Sequence, residues 1–91
     1  SLIDYRVLPR IVTSVAYKRD AGLTAEWFFY CDTGGRLYKY NNLTATETQL
    51  VLPSATMTCS GRSLLYSASR NSVIYGLSQN GLGGVAEYPN P

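Results

Sequence analysis

Ninety-one residues, 45% apolar, with a net charge of +2 and no histidine, describe one small domain that must close its modest core with a staple, a partner or very regular packing. The eight basic side chains are scattered along the chain, so no phosphate-tracking face for nucleic acid is expected, and no apolar run is long enough to span a bilayer. Without histidine the commonest general base and metal ligand are missing, so the composition points away from an enzyme, a bound metal or a cofactor.

In chain order, Ile3 to Leu8 has the composition of a short strand stopped by Pro9, which cannot donate to a ladder. Ile11 to Tyr17 is β-branched and without helical period, a second strand. Lys18 to Gly22 is a charged connection, and Leu23-Thr24-Ala25 leads into an aromatic hairpin, Glu26 to Asn42. Its strands are Trp27 to Cys31 and Leu37 to Tyr40. The turn between them is Asp32-Thr33-Gly34-Gly35, where either glycine can take positive φ. Leu43 to Thr48 reads as a polar connection, and Gln49 to Leu52 as a strand stopped by Pro53. Ala55 to Cys59 is a further strand, Ser60-Gly61-Arg62 a turn, and Ser63 to Ser67 a continuation of the meander. A second hairpin follows: Val73 to Leu77, a longer turn around Asn80-Gly81, and Val85 to Tyr88. The whole chain reads as all-β.

Landmarks recur in order. Val7-Leu8-Pro9 returns as Val51-Leu52-Pro53, Tyr30 as Tyr75, and Tyr40 as Tyr88. Residues 1–91 therefore form one domain of two tandem repeats, about 1–45 and 46–91, each of a length that suits one four-stranded antiparallel propeller blade. A chain phased this way begins with an outermost strand and ends with a third. Closing the ring would fall to oligomerisation, three copies making six blades of the about four to eight that a propeller needs. The alternative is a small β-sandwich or barrel.

The two cysteines, Cys31 and Cys59, permit one disulfide, and Asn42-Leu43-Thr44 is a glycosylation sequon; both agree with a secreted protein, and since Ser1-Leu2-Ile3 shows no signal peptide, a leader has either been removed or never existed. The eight tyrosines suit half-buried sheet faces, or else a stacking surface. Trp27 alternates with Phe29 and Cys31 on one strand face and suits packing, whereas Arg36 after the glycine turn suits solvent.

The strand Thr13 to Tyr17, then Trp27 to Asp32, a glycine turn, and Leu37 to Tyr40 or Val85 to Tyr88 together resemble the fungal and bacterial fucose-binding lectins of the six-bladed propeller type. In that family short two-blade chains trimerise into the ring. The resemblance implies glycan binding between blades, by an arginine early in the strand before the turn, a glutamate late in the strand after it, and aromatic rings. Charged forks suit paired hydroxyls, and a ring face covers the apolar side of a deoxysugar. The arginine position falls on Trp27 and Ser72 and the glutamate position on Lys39 and Glu87, so Glu87 carries the family's residue. The expected glycan-binding set is Trp27, Arg36, Tyr38, Tyr40, Glu87 and Tyr88. Competing expectations are a secreted protein-binding effector with aromatic and arginine anchors, and a propeller fragment selected for assembly alone.

Overall fold

The computed structural model describes residues 5–20, 22 and 25–91. Among them the chain forms seven strands and no α-helix: β1 (Val12–Arg19), β2 (Glu26–Asp32), β3 (Leu37–Asn41), β4 (Thr46–Leu50), β5 (Met57–Ser67), β6 (Ser72–Gln79) and β7 (Leu82–Pro89). They pair antiparallel in two meanders, β1-β2-β3-β4 and β5-β6-β7. The first sheet has the four strands expected of a repeat. The second has three, and the edge of β7 away from β6 pairs with no described strand.

The registers align the two sheets with one another. In the first hairpin Tyr30 faces Tyr38 and Phe28 faces Tyr40; in the second Tyr75 faces Ala86 and Val73 faces Tyr88. Across the first strand pair of each sheet, Val15 faces Tyr30 and Tyr17 faces Phe28, as Leu64 faces Tyr75 and Tyr66 faces Val73. Tyr17 and Tyr66 are thus equivalent, as are Tyr30 and Tyr75, and Tyr40 and Tyr88.

Side chains alternate between faces along a strand, so each sheet has a front face (Phe29, Cys31 and Leu37; Ile74, Gly76 and Val85) and a back face (Phe28, Tyr30, Tyr38 and Tyr40; Val73, Tyr75, Ala86 and Tyr88). The main core joins Ala16, Phe29, Cys31, Leu37 and Leu50 from the front of the first sheet to Cys59, Val73 and Tyr75 from the back of the second. The sheets therefore stack front to back, like successive layers. Contact runs mainly between β1 or β2 and β5, and the Cys31–Cys59 disulfide crosses it with a Cα separation of 6.1 Å. Four of the eight tyrosines lie inside this frame: Tyr30 and Tyr75 are 0% and 1% exposed, Tyr38 and Tyr40 5% and 6%. Tyr66 and Tyr88 are half-buried, as expected of sheet faces, and Tyr5 and Tyr17 are exposed.

Four expectations are corrected. Of Ile3 to Leu8, Ile3 and Asp4 lie outside the described residues, as do Ala21, Leu23 and Thr24 of the connection before β2, while Tyr5–Leu8 forms no strand. Instead of joining a sheet edge, this arm crosses the back of the first sheet, where Leu8 and Val12 pack on Phe28, Tyr30, Tyr38 and Tyr40. The strand placed at Gln49 to Leu52 begins earlier, at Thr46, because threonine suits an edge strand that is open to water. Ser60-Gly61-Arg62 is no turn but an irregularity between Cys59 and Leu64 within one strand, β5. The second hairpin turn is shorter than expected: Asn80 and Gly81, at φ 51° and 80°, form a two-residue turn of the mirror-image type that matches strand twist, and the added residues extend the ladder to Gln79 and Leu82.

In the first turn only Gly35 of the two glycines has positive φ, +79°, and a Cβ there would sit 2.6 Å from Thr58 Cβ. Gly81 has φ +80° with open space around it. Gly81→Ala should therefore cost the strain of the conformation alone, about 1 kcal/mol, and Gly35→Ala about 2 to 4 kcal/mol because Thr58 must also move; equal losses in denaturant unfolding would refute the close approach. Cys31→Ser/Cys59→Ser should lose about 3 kcal/mol, the order expected for a cross-link of this loop length, measured the same way.

Candidate functional site

The open front face of the second sheet carries the most exposed charged constellation. The β5–β6 pairing ends at Ser67 facing Ser72, and the tight link between them, with Asn71 at φ 45°, sets Arg70 beside β7. Arg70 Nε and Nη2 donate to the two carboxylate oxygens of Glu87 at 3.1 and 2.7 Å. Ser72 Oγ donates to the same carboxylate at 2.5 Å. The Arg70 fork, then Ser72, holds the Glu87 carboxyl below the usual carboxylate range, and Glu87 in turn raises Arg70. Ser72 is fully buried, while the Arg70 side chain is 63% exposed. Ile74 stands directly across from Glu87, and the exposed Leu65 and Val85 extend an apolar surface beside the fork. A charged, bidentate donor-acceptor pair beside small apolar side chains can bind a vicinal diol and cover its apolar side.

Arg70 was missed in the sequence because the arginine position was sought on the strand, at Ser72, while the guanidinium comes from the link before it. The informative signal was a short link between two paired strands, which brings its residues level with the third strand.

The equivalent place in the first sheet faces the seam between the sheets and is filled from within. Trp27, the counterpart of Ser72, donates Nε1 to Asp20 at 3.1 Å, and Lys39, the counterpart of Glu87, lies over its ring at 5.0 Å. Lys18 sits 5.2 Å from the Tyr66 ring and 3.4 Å from Asp20. Tyr66 donates to Asn71 at 2.6 Å and stacks on Phe29. Tyr88 packs half-buried against the same core.

The remaining residues of the expected set are elsewhere. Tyr38 and Tyr40 are on the back of the first sheet, where Arg10 lies over the Tyr38 ring at 4.1 Å. Arg36 is at the far end of the seam. The six residues expected to bind glycan thus fall into four places: Trp27 and Tyr88 pack on the main core, Tyr38 and Tyr40 share the back-face cluster, and Arg36 and Glu87 each stand apart.

Two further carboxylates tie the back face together. Glu47 accepts both Arg10 nitrogens, at 2.9 and 2.7 Å, and the hydroxyl of Tyr30 at 2.5 Å. Glu26, 1% exposed, accepts Asn42 Nδ2 at 2.9 Å and Tyr17 at 2.8 Å. The Asn42 amide nitrogen is therefore turned inward and its oxygen accepts Arg6 Nε at 2.6 Å, so the sequon side chain is not open to a glycan in this fold. Among the described residues no cluster of His, Cys, Asp or Glu could hold a metal ion, and no helix is long and apolar enough to cross a membrane.

The chain matches no family model, no curated protein and no solved structure.

Hydrogen bonds from Arg10 and Tyr30 hold the Glu47 carboxyl low, as Asn42 and Tyr17 do that of Glu26. A carboxylate whose folded pKa lies below its unfolded value stabilises the fold above the unfolded pKa and loses that contribution as pH falls through the folded one. Stability should therefore hold from neutral pH down to about 5, then fall below about pH 4.3, the ordinary glutamate value. Glu47→Gln should make that acid limb shallower, as read from denaturant midpoints across pH; an unchanged limb would remove Glu47 from the account.

Proposed function

We propose that the protein is a carbohydrate-binding module whose principal site is built on the Arg70–Ser72–Glu87 fork. The observation that carries this reading is the fork itself: two carboxylate oxygens and a guanidinium side by side on an open sheet face, beside apolar side chains. The layered stacking supports it further. An exposed front face is the surface that, one layer earlier in the same chain, receives the back face of the next sheet. A second copy of the chain would bring its back face, with Tyr17 and Val15 exposed at 45% and 51%, to the fork and enclose a sugar between two sheets.

On this proposal three copies close a six-bladed ring, and the arm of residues 5–8 leaves its own chain to add to the open edge of β7. The arm that covers the back face in the single chain would swing away as the ring forms. The sites would be unequal, since the seam within the chain is plugged by Lys39 over Trp27. Identical sites repeated around a ring would multiply weak single-site affinities by avidity. The disulfide accords with an oxidising, extracellular setting.

A protein-binding secreted domain is the second reading. It is favoured by the same disulfide together with the exposed Leu65 and Val85, which suit an interface.

A glycan array should show binding that Glu87→Ala and Arg70→Ala each reduce at least tenfold, and light scattering should give about three chain masses. A monomer that binds no glycan would transfer the fork to the protein-binding reading. A trimer that binds none would leave assembly alone as the role.

A further inference from the structure

At the opposite end of the seam from Trp27, the front of the first sheet and the connection from β4 to β5 enclose a cleft of about 420 Å³. Its walls are fixed. Asp32 Oδ1 accepts the backbone N–H of Gly34 and Arg36 at 3.0 and 2.8 Å, which sets the turn. Cys59 N donates to Gly35 O at 2.9 Å, and the Cys31–Cys59 disulfide holds the same junction.

The lining is amphipathic and has one sign of charge. Leu37 and Leu50 are 0% and 5% exposed, Leu52 and Met57 half-buried, while Ser54 and the guanidinium of Arg36 supply polar groups. No acidic residue lines the cleft. The two nearest by sequence are committed elsewhere: Asp32 to the turn through Oδ1 and to Arg10 through Oδ2 at 3.6 Å, and Glu47 to Arg10 and Tyr30 on the back face. Arg36 forms no ion pair with a described residue.

We propose that this cleft binds a small organic monocarboxylate, with the carboxylate on Arg36 and a hydrocarbon body over the half-buried Leu52 and Met57, while the buried Leu37 and Leu50 form the floor behind them. A guanidinium offers a carboxylate two parallel donors, and the leucine and methionine side chains gain by covering apolar surface. The volume lies at the lower end of the range for small-molecule clefts. Other ligand classes fit less well. No aromatic ring lines the cleft, so a sugar would find no stacking platform, and a phosphate-rich ligand would meet a single cation. None of these residues belongs to the Arg70–Ser72–Glu87 fork, so the site stands apart from the glycan reading.

The test is calorimetric titration of the disulfide-intact protein with hexanoate, 1-hexanol and acetate. Hexanoate should bind saturably and at least tenfold more tightly than either of the others. Arg36→Gln should weaken it at least tenfold. Ala55→Trp, which fills the cleft from an exposed position, should abolish binding while circular dichroism stays native. Glu87→Ala should leave it unchanged, which separates this site from the glycan site. Absence of saturation, equal binding of 1-hexanol, equal binding of acetate, or indifference to Arg36→Gln would each overturn the proposal; should Ala55→Trp unfold the chain, Arg36→Gln decides alone.

Discussion

The stacking of the front of one sheet on the back of the next is the constraint on which the other features depend. A symmetric sandwich would hide both inner faces and leave two outer faces for water. Here Phe29 and Cys31 meet Val73 and Tyr75, so the chain has two different apolar faces left over, one at each end of the stack. At one end the tyrosine-rich back of the first sheet is covered by the arm carrying Leu8. At the other, the front of the second sheet lies open with Leu65 and Val85 exposed. Two unlike faces are what the head-to-tail contact of the proposed assembly would require.

Tyrosine makes this arrangement possible in so short a chain. Each buried ring brings large apolar area, but its hydroxyl needs a partner, and a buried polar group left alone costs about 1 to 3 kcal/mol. Glu47 supplies that partner to the fully buried Tyr30, while the half-open Tyr17 donates to the buried Glu26 and so helps to satisfy that carboxylate. The Arg10–Glu47 pair, with the arginine side chain 35% exposed, is screened by water and adds little to stability by itself. Its role is better understood as orientation: it aims Glu47 at Tyr30 and lays the arm over the sheet.

Much of the fold was legible because period and turn chemistry agreed. The alternation of Trp27, Phe29 and Cys31 marked a core face, and Asn80-Gly81 marked a hairpin. The recurrence of Tyr30 as Tyr75 and Tyr40 as Tyr88 marked positions whose cross-strand registers correspond. What stayed hidden depended on neighbours distant in sequence. β4 is polar because it is an edge, so its composition resembles a loop. The arm around Leu8 has strand composition but packs across the back of the first sheet, with Leu8 on the tyrosine cluster. Arg70 reaches Glu87 only because the link to β6 is short, and Asn42 matches a sequon pattern that says nothing of the buried Glu26 beside it.

The hydrogen bond from Cys59 N to Gly35 O differs in kind from the other backbone bonds. Nearly all of those lie within one meander or its turns, whereas this one spans the two sheets beside the disulfide. Its amide proton can meet solvent only when the sheets part or the junction frays, while amides in the middle of β2 or β6 wait for a sheet to unravel. In hydrogen exchange, the Cys59 amide therefore serves as a reporter on the cohesion of the layers, separable from the stability of either layer alone.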